Sequence, residues 1–290
     1  MPYGDRYFSI MGNLDWVFKT IIGKRLLPAY DSTLEACCGA GELIWHTQPP
    51  THKEFMNDFD QNVVRIHSIT QKLTNQQITK LKEYNWVADQ KHFDYVLKEF
   101  VPQNDIDFLY RRLYLHTLKE PHDDVEHAKF LSKYQDEEKT SVQRLEQARN
   151  RLRNIQLLNM DAIDAIKTVE EEKNMFVFID PPYPSKDDYY LCSCLDWNKL
   201  YETLSNTHLK WMLVSSMNYT KNGLENMKTT MDNWIYARRT MEKLIANFNS
   251  IKVTEKVKLH TLFKNSNYPE KEFYIVYNYQ PHKNLGEYFA

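Results

Sequence analysis

Short apolar runs alternate with amphipathic stretches near the start of the chain. Residues 33–38 form a first apolar run, which breaks at residues 39–41 (Gly-Ala-Gly) before a second apolar stretch at residues 42–46. Residues 54–58 form another short run that ends in an acid, and residues 61–73 carry apolar side chains at helical spacing. This pattern predicts a strand, a glycine turn, a helix, a second strand and a second helix, in that order.

The same alternation returns after the middle of the chain. Residues 155–158 and 175–179 are predicted strands, with a predicted helix at residues 162–169 between them. Residues 175–179 are wholly apolar, which indicates a strand buried on both faces, as in a parallel sheet. A helix is predicted at residues 197–206 and a further strand at residues 211–215. Residues 251–262 and 273–279 are predicted to pair as a hairpin, with its loop at residues 264–269. We therefore predict a mainly parallel α/β sheet closed by an antiparallel hairpin.

Residues 74–154 separate the two blocks and have no convincing strand pattern. Tyrosines, histidines and charges stand there among apolar residues at helical spacing, which predicts a helical insert. The flanking blocks, 1–73 and 155–290, then form one discontinuous sheet domain. The insert contains two basic clusters, the first at Arg111, Arg112, Tyr114 and His116 and the second at Arg144, Arg149, Arg151 and Arg153. Such clusters are most often a solvated, salt-bridged surface, and contact with a nucleic-acid phosphate or base is the alternative.

Length and composition narrow the class of protein. The chain has 290 residues, 26% of them charged, and a net charge of −2. No apolar run approaches the roughly 18 to 20 residues of a membrane span, and the first residues lack a secretory signal pattern, so we expect a soluble cytoplasmic protein. The near-neutral charge argues against nucleic-acid binding by bulk electrostatics but allows a local basic stripe. The cysteines, at 37, 38, 192 and 194, lack metal-site spacing, which predicts neither a zinc site nor structural disulfides.

Glycine and acidic residues cluster at the predicted carboxyl ends of the strands, where open α/β sheets bind ligands. They are Gly39, Gly41, Asp58, Asp161 and Asp180. A glycine turn lets a ligand approach the backbone, and an acid that ends the second strand can accept both hydroxyls of a ribose. The full GxGxxG pattern is absent, so a plain turn is the ordinary interpretation of these residues taken alone.

The most informative motif is Asp180-Pro181-Pro182-Tyr183, directly after the most apolar strand. Two successive prolines fix the backbone and lack N–H groups, so their carbonyls project as acceptors beside the aspartate. A carboxylate and a main-chain carbonyl can accept the two hydrogens of a planar exocyclic amine, while the tyrosine ring stacks on its base. The alternative is a simple stiffened loop, which the buried strand before it disfavours.

Taken in order, these motifs resemble those of the Dam-like (D12 class, alpha-type) N6-adenine DNA methyltransferases, which use S-adenosylmethionine (SAM). Met11-Gly12-Asn13 is similar to the family's first cofactor motif, residues 35–41 to its glycine motif, and Asn57-Asp58-Phe59 to its ribose-binding element. Asp161 resembles the family's acid on the adenine side of the cofactor, and residues 180–183 its catalytic tetrapeptide. Residues 272–278 are similar to its last strand. The resemblance covers residues 10–60 and about 155–279.

The resemblance implies a Rossmann-like SAM-dependent methyltransferase fold. It also implies transfer of the methyl group of SAM to the N6 amine of an adenine flipped out of duplex DNA, with no metal and no covalent enzyme intermediate. The residues that it places in catalysis are Asp180, Pro181, Pro182 and Tyr183, and those that it places at the cofactor are Met11, Gly12, Glu35, Cys37, Gly39, Gly41, Asp58, Phe59, Asp161 and Asp180. The family has its target-recognition segment at the position of residues 74–154, which makes the tyrosine and arginines of both basic clusters candidates for DNA contact.

Several interpretations stay open from the sequence. The same fold and cofactor can serve transfer to cytosine N4, to an RNA adenine or to a protein glutamine, although Asp180 and the motif order favour adenine. A catalytically inactive DNA-binding relative is a further alternative, which Leu14 favours because many Dam-like proteins have lysine there. Intact Asp58, Asp180 and Tyr183 count against it. The sequence leaves open a restriction partner, the oligomeric state and a bacterial or viral origin.

Overall fold

The computed structural model describes residues 7, 15–118, 129–130, 138–182, 195–216, 228–256 and 270–281. The helices are α1 (Asp15–Gly23), α2 (Leu43–His46), α3 (Gln61–Lys72), α4 (Asn75–Glu83), α5 (Gln90–Lys98), α6 (Asp105–Leu118), α7 (Glu138–Leu152), α8 (Ala162–Thr168), α9 (Trp197–Asn206) and α10 (Lys228–Asn247). The strands are β1 (Ser32–Glu35), β2 (Lys53–Asn57), β3 (Gln156–Leu158), β4 (Met175–Ile179), β5 (Lys210–Ser216), β6 (Asn249–Lys256) and β7 (Glu270–Tyr277).

The strands form one sheet in the order β3-β2-β1-β4-β5-β7-β6. β3, β2, β1, β4 and β5 run parallel to one another, and β7 runs antiparallel to both β5 and β6. In the centre, Leu34 of β1 lies beside Phe55 of β2 and Val177 of β4. The prediction of a mainly parallel sheet with an antiparallel C-terminal pair is confirmed, and the loop predicted at residues 264–269 lies outside the described residues.

Helices cover both faces of this sheet. Along β4, Met175, Val177 and Ile179 point into a core shared with α8, α9 and α10, whereas Phe176 and Phe178 point into a core shared with α1 and β7. All five side chains are buried, as the continuous apolar sequence of β4 predicts. Because β4 lies in the middle of the sheet, the segment that follows it emerges at the centre of the carboxyl edge.

The helical insert packs against α3, the helix that follows β2. Apolar side chains of α4, α5, α6 and α7 share one core with α3, with Met56 of β2 and with Trp45 of α2. Tyr110 and Tyr114 are among the largest side chains buried in this core. The helical character predicted for residues 74–154 is confirmed where the chain is described. The insert is therefore joined to the sheet through a continuous core.

Sequence reasoning did not predict α10, which packs against α9. The signal was present in the sequence, because apolar residues recur there at helical spacing, at Met231, Trp234, Ile235, Met241, Leu244 and Ile245. Neither this 20-residue helix nor any other in the described part of the chain is long and apolar enough to cross a membrane.

Candidate active site

Acidic side chains from four segments meet at the carboxyl edge of the sheet. Glu35 ends β1, Asp58 follows β2, Asp161 precedes α8 and Asp180 follows β4. β1 lies between β2 and β4 in the sheet and runs parallel to both, so the acids that follow these strands lie around Cys37, which follows β1. Burial raises the pKa of the Cys37 thiol well above its usual value, and the four carboxylates raise it further. The structure therefore brings together the strand-end acids that the sequence singles out. In these surroundings the thiol stays protonated, which makes Cys37 a poor nucleophile.

Asn57, the last residue of β2, fastens three strand ends together. Its side-chain amide donates to the carbonyl of Ala36 after β1, at 2.8 Å, and to the carbonyl of Met160 after β3, at 3.0 Å. Its side-chain oxygen accepts the N–H of Met160 at 3.1 Å. Sequence reasoning named Asn57 only as a member of the ribose-binding element. The signal available in the sequence for this bridging role was an asparagine next to an acid at the end of a predicted strand.

Asp58 faces the glycine turn from the end of β2. One carboxylate oxygen accepts the N–H of Gly39 at 2.8 Å, and the other accepts the N–H of Asp60 at 2.9 Å. Burial raises the pKa of Asp58 to about 6, although these backbone hydrogen bonds oppose the rise. The residue remains partly exposed. Because a carboxylate can accept about four hydrogen bonds, acceptor sites remain for the hydroxyls of a ligand.

The glycine turn between β1 and α2 is closely packed from behind. Gly39 has φ +48° and Gly41 has φ +82°, in the left-handed region that glycine tolerates best. A Cβ on Gly41 would lie 3.1 Å from side-chain atoms of Ile44 and Trp45. The indole N–H of Trp45 also donates to the carbonyl of Ala40 at 3.0 Å. Glycine at 41 is therefore required by both backbone angle and space.

Glu35 is buried beneath the same turn. One carboxyl oxygen accepts the N–H groups of Glu42 and Leu43, at 2.6 and 3.1 Å, and burial raises the pKa of Glu35 to about 8. The other oxygen, Oε2, is buried and has no hydrogen-bond partner among the described residues. A buried polar atom without a protein partner is costly, and a bound polar ligand would relieve that cost.

The predicted catalytic motif begins at the centre of this edge. Asp180 is half-buried, Pro181 is buried and Pro182 is half-buried, directly after the fully buried Ile179. Tyr183 lies outside the described residues. The backbone N–H of Ala36 donates to the carbonyl of Phe178 at 2.9 Å, so the motif starts beside the residues that follow β1.

Two further predicted cofactor residues, Asp161 and Phe59, are described by the structure. Asp161 caps α8, where its side chain accepts the N–H of Ile163 at 2.8 Å. Phe59 exposes 51% of its surface directly after Asp58, an unusual exposure for a large aromatic side chain. Met11 and Gly12, from the first predicted motif, lie outside the described residues. Leu14, at the position where similar proteins often have lysine, lies outside them as well.

A buried histidine stands behind the glycine turn, where sequence reasoning assigned no role to any histidine. His67 of α3 is fully buried, with Nε2 2.7 Å from the carbonyl oxygen of Gly39 and Nδ1 2.9 Å from the hydroxyl of Tyr7. The signal for it was its position on the buried face of α3 beside Val63 and Ile66. A polar residue on such a face needs a partner, although the sequence does not say which.

The second basic cluster is largely committed to contacts within the protein. Arg151 forms a bidentate ion pair with Glu54 at 2.5 and 2.6 Å and donates to the carbonyl of Ile44, with both charged side chains almost fully buried. Arg149 donates to the side chain of Asn75 at 2.6 Å. Arg151, a candidate for DNA contact, is therefore held by Glu54 within the protein, and withdrawing it would leave the Glu54 carboxylate buried without its partner.

Residues of the first basic cluster also make hydrogen bonds within the protein. Arg111 donates to the carbonyls of Val96 and Leu97, at 3.2 and 2.9 Å, where it caps the end of α5. Tyr114 is fully buried, and its hydroxyl donates to the carbonyl of Val87 at 2.6 Å. Tyr114 is therefore also removed from the candidate DNA surface. Arg112, Arg144 and Arg153 keep part or all of their surface exposed, and the guanidinium of Arg112 lies 5.5 Å from the centroid of the Phe108 ring.

Replacing Gly41 by alanine is expected to lower the free energy of unfolding by about 1 to 2 kcal/mol, because an alanine in a left-handed conformation is strained. The crowding against Ile44 and Trp45 adds to this cost. Gly23 provides the matched control, since a Cβ there meets no atom within 4 Å. Urea denaturation of the two variants should show a loss for Gly41→Ala and little change or a gain for Gly23→Ala. Equal effects would contradict the packing described for the turn.

Comparison with known families identifies the set of proteins that the chain resembles. The model of the family described as D12 class N6 adenine-specific DNA methyltransferase matches residues 18–259, which is most of the chain. No protein with a curated function matches the sequence at a significant level.

Comparison with solved structures gives weaker similarities. An O-methyltransferase from Bacillus cereus in complex with SAH is 11% identical, with a TM-score of 0.38 over 91% of this chain and 79% of its own. A protein from Clostridium thermocellum assigned as an rRNA-methylase is 10% identical, with a TM-score of 0.39 over 93% of this chain and 99% of its own. Both TM-scores lie below 0.5.

Proposed function

The chain belongs to the family of D12 class N6 adenine-specific DNA methyltransferases, and from this premise we propose that its acid-lined sheet edge holds both SAM and an adenine turned out of the duplex. Membership makes the protein a SAM-dependent enzyme that methylates the N6 amine of adenine in DNA. The proposal concerns which residues perform each part of that reaction. The observation that carries it is the position of Asp58 and Asp180 after the two strands that flank β1, with Asp58 hydrogen-bonded to the glycine turn.

The glycine turn and the ends of β1 and β2 have the features that SAM requires. The partly exposed carboxylate of Asp58 can accept the ribose hydroxyls, and the exposed ring of Phe59 can stack on the adenine of the cofactor. Gly39 and Gly41 let the ligand approach the backbone, and the unpartnered Oε2 of Glu35 is free to meet a polar group of the ligand. Met11, Gly12, Cys37 and Asp161 complete the proposed set. SAM, when bound, supplies an electrophilic methyl group on a positively charged sulfonium.

The role proposed for Asp180 is to hold the target amine. Its carboxylate accepts one hydrogen of the exocyclic amine, the Pro181 carbonyl is a candidate acceptor for the other, and Tyr183 stacks on the base. These contacts orient the nitrogen lone pair and stabilise the positive charge that develops on the nitrogen as the new N–CH₃ bond forms and the S–CH₃ bond of the sulfonium breaks. The methylated nitrogen then loses one proton to solvent, and the sulfur leaves as a neutral thioether. The motif lies at the centre of the sheet edge, next to the proposed cofactor site, as direct transfer between two bound groups requires.

A base stacked in a duplex cannot reach such a site, so the target adenine must rotate out of the helix. The insert, residues 74–154, is proposed to hold the duplex while this happens. Arg112, Arg144 and Arg153 are the cluster arginines that we retain as candidates for phosphate or base contact.

Base rotation is tested with a duplex whose target adenine has first been mapped by sequencing DNA methylated with the purified protein. A second duplex carries an abasic position opposite that adenine, which removes the base pair that rotation must break. The second duplex should bind at least about 10-fold more tightly, because unpairing and unstacking cost a few kcal/mol. Equal affinity for the two duplexes, with methylation of both, would sink the base-rotation proposal while leaving the family's activity in place.

A further inference from the structure

A buried chain of hydrogen bonds reaches the proposed cofactor site from the far side of the glycine turn. It runs from Tyr7 through His67 to the carbonyl of Gly39, with the distances of 2.9 and 2.7 Å given above. Tyr7 is also fully buried, and its ring packs edge-on against Trp45 and His67 at centroid distances of 6.2 and 5.9 Å. Tyr7 and His67 are fully buried, whereas Gly39 is partly exposed, so their effect on the site must pass through Gly39.

The partners of His67 define which nitrogen carries the proton. A carbonyl oxygen only accepts, so Nε2 carries the hydrogen that is donated to Gly39. Nδ1 is then the acceptor for the hydroxyl of Tyr7. Burial lowers the pKa of His67 to about 4, so the ring is neutral near pH 7, as this arrangement requires. The chain has one direction of donation, from Tyr7 to His67 to Gly39.

Gly39 is held on both sides of its α-carbon. Its N–H donates to the carboxylate of Asp58, the proposed ribose acceptor, while its carbonyl accepts from His67. Its φ of +48° is a left-handed conformation, and these two hydrogen bonds hold the residue in it. Releasing the carbonyl would allow the two peptide groups of Gly39 to rotate, and the N–H that orients Asp58 would move with them.

We propose that His67 is a positioning residue for the cofactor site, through which Tyr7 and α3 hold Gly39 so that its N–H keeps Asp58 in place for SAM. The inference rests on the proposed cofactor site. A histidine that merely fills the core would affect stability alone, whereas a positioning histidine affects SAM affinity at unchanged DNA affinity. The two roles therefore differ in a measurable way.

The experiment uses two substitutions of His67 in the full-length protein. His67→Phe keeps a buried ring but removes both hydrogen bonds, and His67→Gln keeps an amide donor near the position of Nε2. The SAM dissociation constant is measured by calorimetry, and KM is measured for SAM and for DNA. His67→Phe should weaken SAM binding about 10-fold, the effect of one lost hydrogen bond, and raise KM for SAM but not for DNA. His67→Gln should stay within about 3-fold of the wild type, because its donor replaces the lost one.

His92 supplies a matched control within the insert. Its Nε2 lies 2.8 Å from the carbonyl oxygen of Asn85 and 2.9 Å from the hydroxyl of Tyr110, so it also joins a carbonyl to a tyrosine. His92→Phe, which removes these contacts, should leave SAM affinity unchanged. Equal loss of SAM affinity in His92→Phe and His67→Phe would show a general effect of destabilisation and would overturn the inference.

Tyr7→Phe keeps the inference testable if His67→Phe does not fold. This change retains the ring contacts and removes only the hydroxyl that fixes the ring of His67, so SAM binding should weaken about 3-fold or more. Wild-type SAM affinity in folded Tyr7→Phe would overturn the inference while leaving the proposed function intact. Failure of the wild type itself to bind SAM would overturn the proposed cofactor site, and this inference with it.

Discussion

Replacing Asp180 by alanine is expected to reduce methyl transfer to DNA by at least about 100-fold, the loss that follows removal of a group that stabilises developing charge. Asp180 is half-buried at the end of β4, outside the apolar core, so the fold should persist. SAM should still bind, because the proposed ribose contact is made by Asp58. Initial rates of transfer from labelled SAM to DNA, with calorimetry of SAM binding, measure both effects.

Glu171→Ala is the matched control for this substitution. Glu171 is an exposed acid between α8 and β4, at the amino edge of the sheet, and its replacement removes one negative charge at the edge opposite the proposed site. Its activity should equal that of the wild type. Undiminished transfer by a folded Asp180→Ala protein would remove Asp180 from the mechanism.

Replacing Asp58 by alanine is expected to weaken SAM binding by about 100-fold or more, because two hydrogen bonds from ribose hydroxyls to a charged acceptor would be lost. DNA affinity should change little. Binding of SAM and DNA is measured separately by calorimetry, and Asp58→Asn, which keeps the shape and one acceptor oxygen, should fall between the wild type and Asp58→Ala.

The raised pKa of Asp58 adds a dependence on pH. The ionised carboxylate is the better acceptor for ribose hydroxyls, and burial places the pKa of Asp58 at about 6 in the free protein. SAM affinity should therefore be fully present above pH 6 and should fall as the pH drops below 6, where Asp58 becomes protonated. Asp58→Asn should lack this dependence. A wild-type affinity that is constant from pH 7 to 5 would exclude Asp58 as the ribose acceptor.

The parts of the fold that follow from local sequence were predictable. β4 is the clearest example, because five successive apolar residues specify a strand buried on both faces. The strand-end acids Asp58 and Asp180 could be found for a related reason. The carboxyl ends of parallel strands meet at one edge of a sheet, so residues distant in sequence become neighbours there.

Contacts between distant segments were not predictable from the sequence. Arg151 resembles a surface arginine in a charged helix, and only the fold shows that Glu54, 97 residues away, neutralises it. His67 similarly has a buried position but no visible partner until Tyr7 and Gly39 are placed beside it. Periodicity reports which face of an element is buried, whereas the partner of a buried polar group depends on tertiary packing.

The most direct test of the assigned reaction is the chemical identity of the methylated product. The purified protein is incubated with labelled SAM and, in parallel, with mixed-sequence duplex DNA and with RNA, and the nucleosides are analysed by mass spectrometry after digestion. The account predicts label in N6-methyladenine from DNA and none in RNA. Label in N4-methylcytosine or in RNA, or bound SAM without transfer to DNA, would contradict it.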